Sequence, residues 1–179
     1  MSAHASQGGD ALPHTAFSKV VDRLIGWIGE QASWLWLLLC LVIIFQVAMR
    51  YVLGRGSIML EELQWHIYGV GYLLGIGFCL QFDRHVRIDV LAEHWRPRTR
   101  AWIELAGICV FLLPFCGAVI LEGTKLAITA FELNEVSAAP GGLPYRWIIK
   151  SFVPLGFVLV ALAALSRATR CAALLFGAR

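Results

Sequence analysis

Glu61, Glu62 and His66 are the residues of this chain whose types and spacing could do chemistry within a membrane. Glu62 and His66 lie four positions apart, so on a helix the carboxylate and the imidazole share one face. Such a pair could relay a proton or take part in a metal site. An ionisable group inside a bilayer costs about 2.5–3.5 kcal/mol at mid-helix, and less near a helix end. Both acids open an apolar run, where a carboxylate complements a helix N-terminus. The plainer reading is a capped, interface-anchored helix start with a hydrogen-bonded His66. One His and no second deep acid make a poor relay, so this reading is favoured.

Gly71 and Gly75 in the same run form a GxxxG pair, which lets another helix approach closely in lipid. Pro114 and Pro154 sit inside later apolar runs and should bend them or leave carbonyls free. Interrupted helices can mark ion sites in transporters, but a second pair of them, needed for two inverted halves, is missing. Residues 82 to 90 alternate basic, acidic and apolar side chains, which suits a surface helix with Val86, Val90 and Leu91 against lipid or protein. Arg84, Arg87 and Asp89 would pair there or meet anionic head groups. Residues 135 to 147 are rich in turn formers, with Pro140, Gly141 and Gly142 breaking structure and Pro144 near a helix start. The five cysteines, Cys40, Cys79, Cys109, Cys116 and Cys171, form no CxxC pair and read as packing residues. No phosphate-cradling loop, partnered nucleophile or metal-ligand cluster is visible, so no cofactor is expected. The basic loop is too small and too near the membrane to bind nucleic acid.

The elements that hold these residues follow from composition. Of 179 residues, 59% are hydrophobic and 15% charged, against roughly 45–50% and 25% in soluble domains. The charges are swept out of four long apolar windows: Glu30 to Arg50, Glu62 to Asp83, Glu104 to Glu122 and Lys150 to Arg167. At 1.5 Å per residue the first spans roughly 28 Å, close to a hydrocarbon core. Trp102 and Trp147 extend the shorter third and fourth windows as interfacial anchors. The expected fold is all-α, an integral membrane protein with spans at about 32–51, 63–82, 102–122 and 147–166.

Ahead of the first span, Phe17, Val20, Val21, Leu24 and Ile28 recur at helical spacing, while Lys19, Asp22, Arg23 and Glu30 lie off that stripe. Residues 17 to 31, with Trp27 beside the stripe, read as an amphipathic helix in the membrane surface. Gly26 and Gly29 would bend it away from the span; the alternative is a plain extension of the first membrane helix. Residues 1–16 read as a disordered polar N-terminus without a cleavable signal, so the first span should act as its own insertion signal. Residues 167–179 read as a basic C-terminus. Ten basic residues fall on the side of the termini: Lys19, Arg23, Arg84, Arg87, Arg96, Arg98, Arg100, Arg167, Arg170 and Arg179. Five fall on the other: Arg50, Arg55, Lys125, Arg146 and Lys150. Both termini are therefore expected in the cytoplasm.

The order of features is itself informative. Arg50 and Tyr51 end the first span, Glu61 and Glu62 open the second, and a His-Val-Arg-Ile-Asp-Val-Leu segment (85 to 91) follows it. Gly142, Leu143 and Pro144, then Trp147, precede Pro154 to Phe157. Over residues 17 to 166 this order resembles the DctQ-type small membrane subunit of tripartite ATP-independent periplasmic (TRAP) transporters. Gln64, Trp65 and His66 make the second helix more polar than the resemblance leads one to expect. The resemblance implies secondary active transport in the bacterial inner membrane, with import of an organic acid by sodium symport. It implies two partners: a large DctM-type elevator subunit and a periplasmic solute-binding protein. The small subunit would be a scaffold and no enzyme. Candidate helix-end and partner-interface residues are Arg50, Tyr51, Glu61, Glu62, His85, Arg87, Asp89, Gly142, Pro144 and Arg146.

Two other functions are weighed. A membrane anchor for a quinone- or haem-linked redox enzyme would need facing axial histidines, and His66 alone lies within a span; a thiol oxidase would need cysteine pairs in the outward loops. A self-sufficient transporter would need a polar pathway at mid-depth, which Gln46 and scattered glycines hardly supply.

Overall fold

The computed structural model describes residue 13, residues 15–81 and residues 96–177, and their regular structure is entirely helical. Four helices are long and apolar enough to cross a membrane: α1 (Ala16–Val52), α2 (Ile58–Gln81), α3 (Pro97–Glu132) and α4 (Trp147–Phe176). They contain the four expected windows, save that residue 82 lies outside the described residues.

A capping box starts α1. Thr15 Oγ1 accepts from the Ser18 N–H and Ser18 Oγ accepts from the Thr15 N–H, both at 3.1 Å. The helix then runs unbroken for 37 residues, roughly 55 Å. No boundary separates the expected arm from the first span. Gly26 and Gly29 do not end the helix, because residues before them are already held: Ser18, Val21 and Ile25 are buried. Val21 and Ile25 pack with Ala163 of α4, and Phe78, Leu80 and Leu162 close over them. The apolar stripe is thereby split, with Val21 facing protein while Phe17, Val20 and Leu24 stay exposed. Gly29 has a different use: a Cβ there would lie 2.0 Å from the Phe78 ring. It admits α2.

After Val52 the chain reverses through Gly54, whose φ of +63° suits glycine. Ser57 Oγ then accepts the Leu60 N–H at 3.4 Å in the first turn of α2. Gly71 meets Leu35 and Trp36 of α1, whereas a Cβ on Gly75 would meet nothing within 4 Å. Among the described residues, Gly71 and not Gly75 is therefore the member of the GxxxG pair in close contact with another helix.

Pro97 at the first position starts α3. The helix widens to a π-helix over Ile108–Leu112, where the Leu113 N–H donates to the Ile108 carbonyl five residues back. Pro114 follows at once. It has no N–H to give Val110 and its ring crowds that carbonyl, and the wider turn relieves the conflict. Helix α4 carries Pro154 within its length. Gly123 of α3 leaves room for that ring: a Cβ there would sit 3.2 Å from Pro154 Cδ.

Helix α4 is the centre of the molecule and touches each of the other three. Its buried residues are small or aliphatic (Gly156, Leu159, Val160, Ala163, Ala164, Ser166, Cys171), the composition that lets helices close on one another in lipid. Burial continues along the helix to Cys171. At the same end of the molecule Ser166 Oγ donates to Asp22 Oδ1 of α1 at 2.7 Å. An Arg167–Glu104 ion pair joins α4 to α3, with the two side chains 12% and 16% exposed. Among the described residues α3 rests on α4 and has next to no contact with α1 or α2. The assembly is open on its sides, and only 11% of the most apolar window of α1, α2 or α3 is buried.

Candidate partner interface

Seven of the ten residues singled out for this role (Arg50, Tyr51, Glu61, Glu62, Gly142, Pro144 and Arg146) lie at the end of the helices away from Thr15 and Gly177. Glu62, in the first turns of α2, reaches the loop of residues 133 to 146 between α3 and α4. Its Oε1 accepts a hydrogen bond from Ser137 Oγ, and its Oε2 accepts the Leu143 N–H at 2.6 Å. Arg146 stands near enough to act on the carboxylate electrostatically. Gly142 allows the approach: a Cβ there would lie 2.5 Å from Ser137 Cβ and 2.8 Å from Glu62 Oε2.

The loop also holds itself. The Ser137 N–H donates to the Leu143 carbonyl at 3.2 Å, Gly142 to Ala139 at 3.0 Å, and Arg146 to Glu135 at 3.1 Å. Lys150 at the start of α4 pairs with Glu135. The loop is thus a compact body of the Ω type, pinned to three helices. Pro144 is exposed, and Val136 and Tyr145 present 62% and 61% of their surface. Tyr145 takes a positive φ of 63°, uncommon away from glycine.

His66 lies one turn below Glu62, and its Nδ1–H donates to the Glu62 carbonyl at 2.6 Å. The Glu62 carboxylate is turned to the loop instead. The pair considered as a relay is therefore two separate hydrogen-bonded groups. Among the described residues no three His, Cys, Asp or Glu side chains are grouped to hold a metal.

Glu61 faces the other way, towards α1. Gln46 Nε2 donates to Glu61 Oε1 at 3.1 Å, and Gln64 Nε2 donates to Gln46 Oε1. Arg50 and Tyr51 are exposed beside them, the guanidinium 5.9 Å from the Tyr51 ring centre. His85, Arg87 and Asp89 lie outside the described residues.

The structure thus brings Glu62, Gly142 and Arg146 into one cluster and sets Arg50, Tyr51 and Glu61 in another. Gln46 and Gln64 join the second cluster; their signal was an amide within an otherwise apolar run. Ser137 and the Leu143 amide carried no such signal. The Glu104–Arg167 pair was visible only as two residues bounding separate windows.

Comparison with known families places this arrangement. The family described as "Tripartite ATP-independent periplasmic transporters, DctQ component" matches residues 39–174. The chain belongs to this DctQ family. It is a transporter component and a multi-pass inner-membrane protein; proteins of this family work with a large membrane subunit and a periplasmic binding protein. The match begins within α1 and runs nearly to the end of α4, so it covers both clusters at the loop end of the DctQ chain. No curated protein sequence matches the chain.

Proposed function

We propose that this DctQ subunit is a scaffold for the large membrane subunit, supporting sodium-coupled, binding-protein-dependent import of an organic acid. The observation that carries the reading is the open side of the helix assembly. Trp34, Leu38, Leu41 and Phe45 of α1 and Trp65, Tyr68 and Tyr72 of α2 are all exposed along helices with few internal neighbours. In lipid, such faces gain little by hydrophobicity, so they are open to a protein companion that contributes the close packing this chain does not make itself.

In this reading both termini are cytoplasmic, following the excess of basic residues at that end. The exposed Phe17, Val20, Leu24 and Trp27 then lie at the membrane surface. Glu62, Gly142, Pro144 and Arg146 shape a loop that touches the periplasmic binding protein. His85, Arg87 and Asp89 meet the large subunit or head groups on the cytoplasmic side.

Reconstitution tests this. The large subunit should co-purify with the full-length chain, and a sodium gradient should drive uptake of an organic acid only when both membrane subunits and the binding protein are present. Equal uptake without this chain would refute the scaffold role. Uptake by this chain alone, or a haem absorption band from it, would favour the rival transporter or redox-anchor readings.

A further inference from the structure

The notch between the C-terminal end of α1 and the N-terminal end of α2 has a chemistry that the partner reading leaves unused. It encloses about 390 Å³. The exposed Ile43 and Val47 give it apolar sides, the exposed Arg50, Tyr51 and Glu61 a polar mouth, and Gln46 and Gln64 line it more deeply. Gln46 is only 8% exposed. The Gln64-to-Gln46-to-Glu61 chain of hydrogen bonds fixes the Glu61 carboxylate at this mouth. A carboxylate offers roughly four acceptor positions, and Gln46 takes one. Arg50 follows Gln46 by one turn on α1 and brings a guanidinium to the same notch, a group suited to a phosphate oxygen.

We propose that this notch binds a phospholipid whose head group carries a primary ammonium. The phosphate rests on Arg50, the ammonium donates to Glu61, and an acyl chain follows Ile43 and Val47. Charge complementarity selects this occupant: a guanidinium and a carboxylate held by Gln46 stand beside two exposed aliphatic side chains. The depth agrees, because both charges sit at the ends of apolar helices, where head groups lie. The site is separate from the Glu62 cluster and does not rest on the scaffold reading.

Native mass spectrometry of the full-length chain in detergent, titrated with lipids of matched acyl chains, provides the test. Phosphatidylethanolamine should be retained roughly tenfold better than phosphatidylcholine, whose methylated ammonium has no N–H to donate, or phosphatidylglycerol, which lacks an ammonium. Glu61→Gln should abolish that preference, and Arg50→Gln should weaken retention of phosphatidylethanolamine and phosphatidylcholine together. Ile43→Trp crowds the apolar side of the notch without touching a charge and should lower retention of phosphatidylethanolamine. Equal retention of the three lipids by the unaltered chain overturns the proposal, as does a preference that survives Glu61→Gln. So does a preference for phosphatidylglycerol, which would mark a site for phosphate alone. Loss of the large subunit from Arg50→Gln with lipid preference unchanged would assign the notch to a protein contact instead.

Discussion

The Glu62 carboxylate on α2 accepts the Leu143 N–H at 2.6 Å, which ties the second helix to a loop 81 positions further along the chain. The same carboxylate holds Ser137, so one side chain closes both ends of a turn. Loop shape at this end of the molecule therefore depends on a helix residue.

Glu62→Ala removes both acceptors. Amide exchange at Leu143, whose N–H loses its acceptor, should quicken by roughly tenfold or more. Exchange at Ser137 should follow to a lesser degree, because its N–H keeps the Leu143 carbonyl, and exchange at mid-helix positions of α2 should stay unchanged. Glu62→Gln retains one oxygen and should fall between. Unaltered exchange in Glu62→Ala would show that the internal bonds of the loop suffice.

Gly142→Ala should disturb the same loop by a steric route. Its Cβ would lie 2.5 Å from Ser137 Cβ, and relieving that overlap costs about 1–3 kcal/mol. Gly141 has open space but a φ of +78°, so Gly141→Ala should cost about 1–2 kcal/mol through the backbone alone. Local exchange separates the two: Gly142→Ala should expose the Leu143 amide, and Gly141→Ala should leave it bonded.

Breaking the Arg167–Glu104 pair should be costly, since both partners are largely shielded from solvent. Glu104→Ala takes a carboxylate partner from Arg167 and should lower the thermal unfolding temperature, by about 1–3 kcal/mol in stability. Glu104→Leu combined with Arg167→Met removes both charges and should recover much of that loss. A double variant less stable than Glu104→Ala would mean the pair is worth more than its desolvation.

Two glycines on facing helices should differ. A Cβ at Gly156 would lie 3.0 Å from Leu73 Cβ and 3.2 Å from the Leu73 carbonyl oxygen, so α2 would have to move. Gly156→Ala should therefore lower the melting temperature, by about 1–3 kcal/mol in stability. Gly75→Ala, in open space, should change stability by no more than about 0.5 kcal/mol. If Gly75 instead faces the large subunit, Gly75→Leu should lower co-purification without altering the melting temperature of this chain.

Much of the architecture was legible in the chain itself. Four stretches cleared of charge fix four helices, because a lipid-exposed backbone must satisfy its own hydrogen bonds. Pro114 announced a local defect, and the π-helix just before it is that defect. The order of Arg50–Tyr51, Glu61–Glu62 and the Gly142-Leu143-Pro144 turn pointed to the DctQ family, which the match over residues 39–174 shows.

Tertiary structure decided which faces meet. In water, a helix records its buried side as an apolar stripe; in lipid every side is apolar, and that record disappears. Hence the continuity of α1 through Gly29, the contact of Gly71 with α1 and the Arg167–Glu104 pairing came only with packing. The division of Glu61 from Glu62 has the same origin. Adjacent residues on a helix point about 100° apart, so one carboxylate turned to α1 and the other to the distant loop.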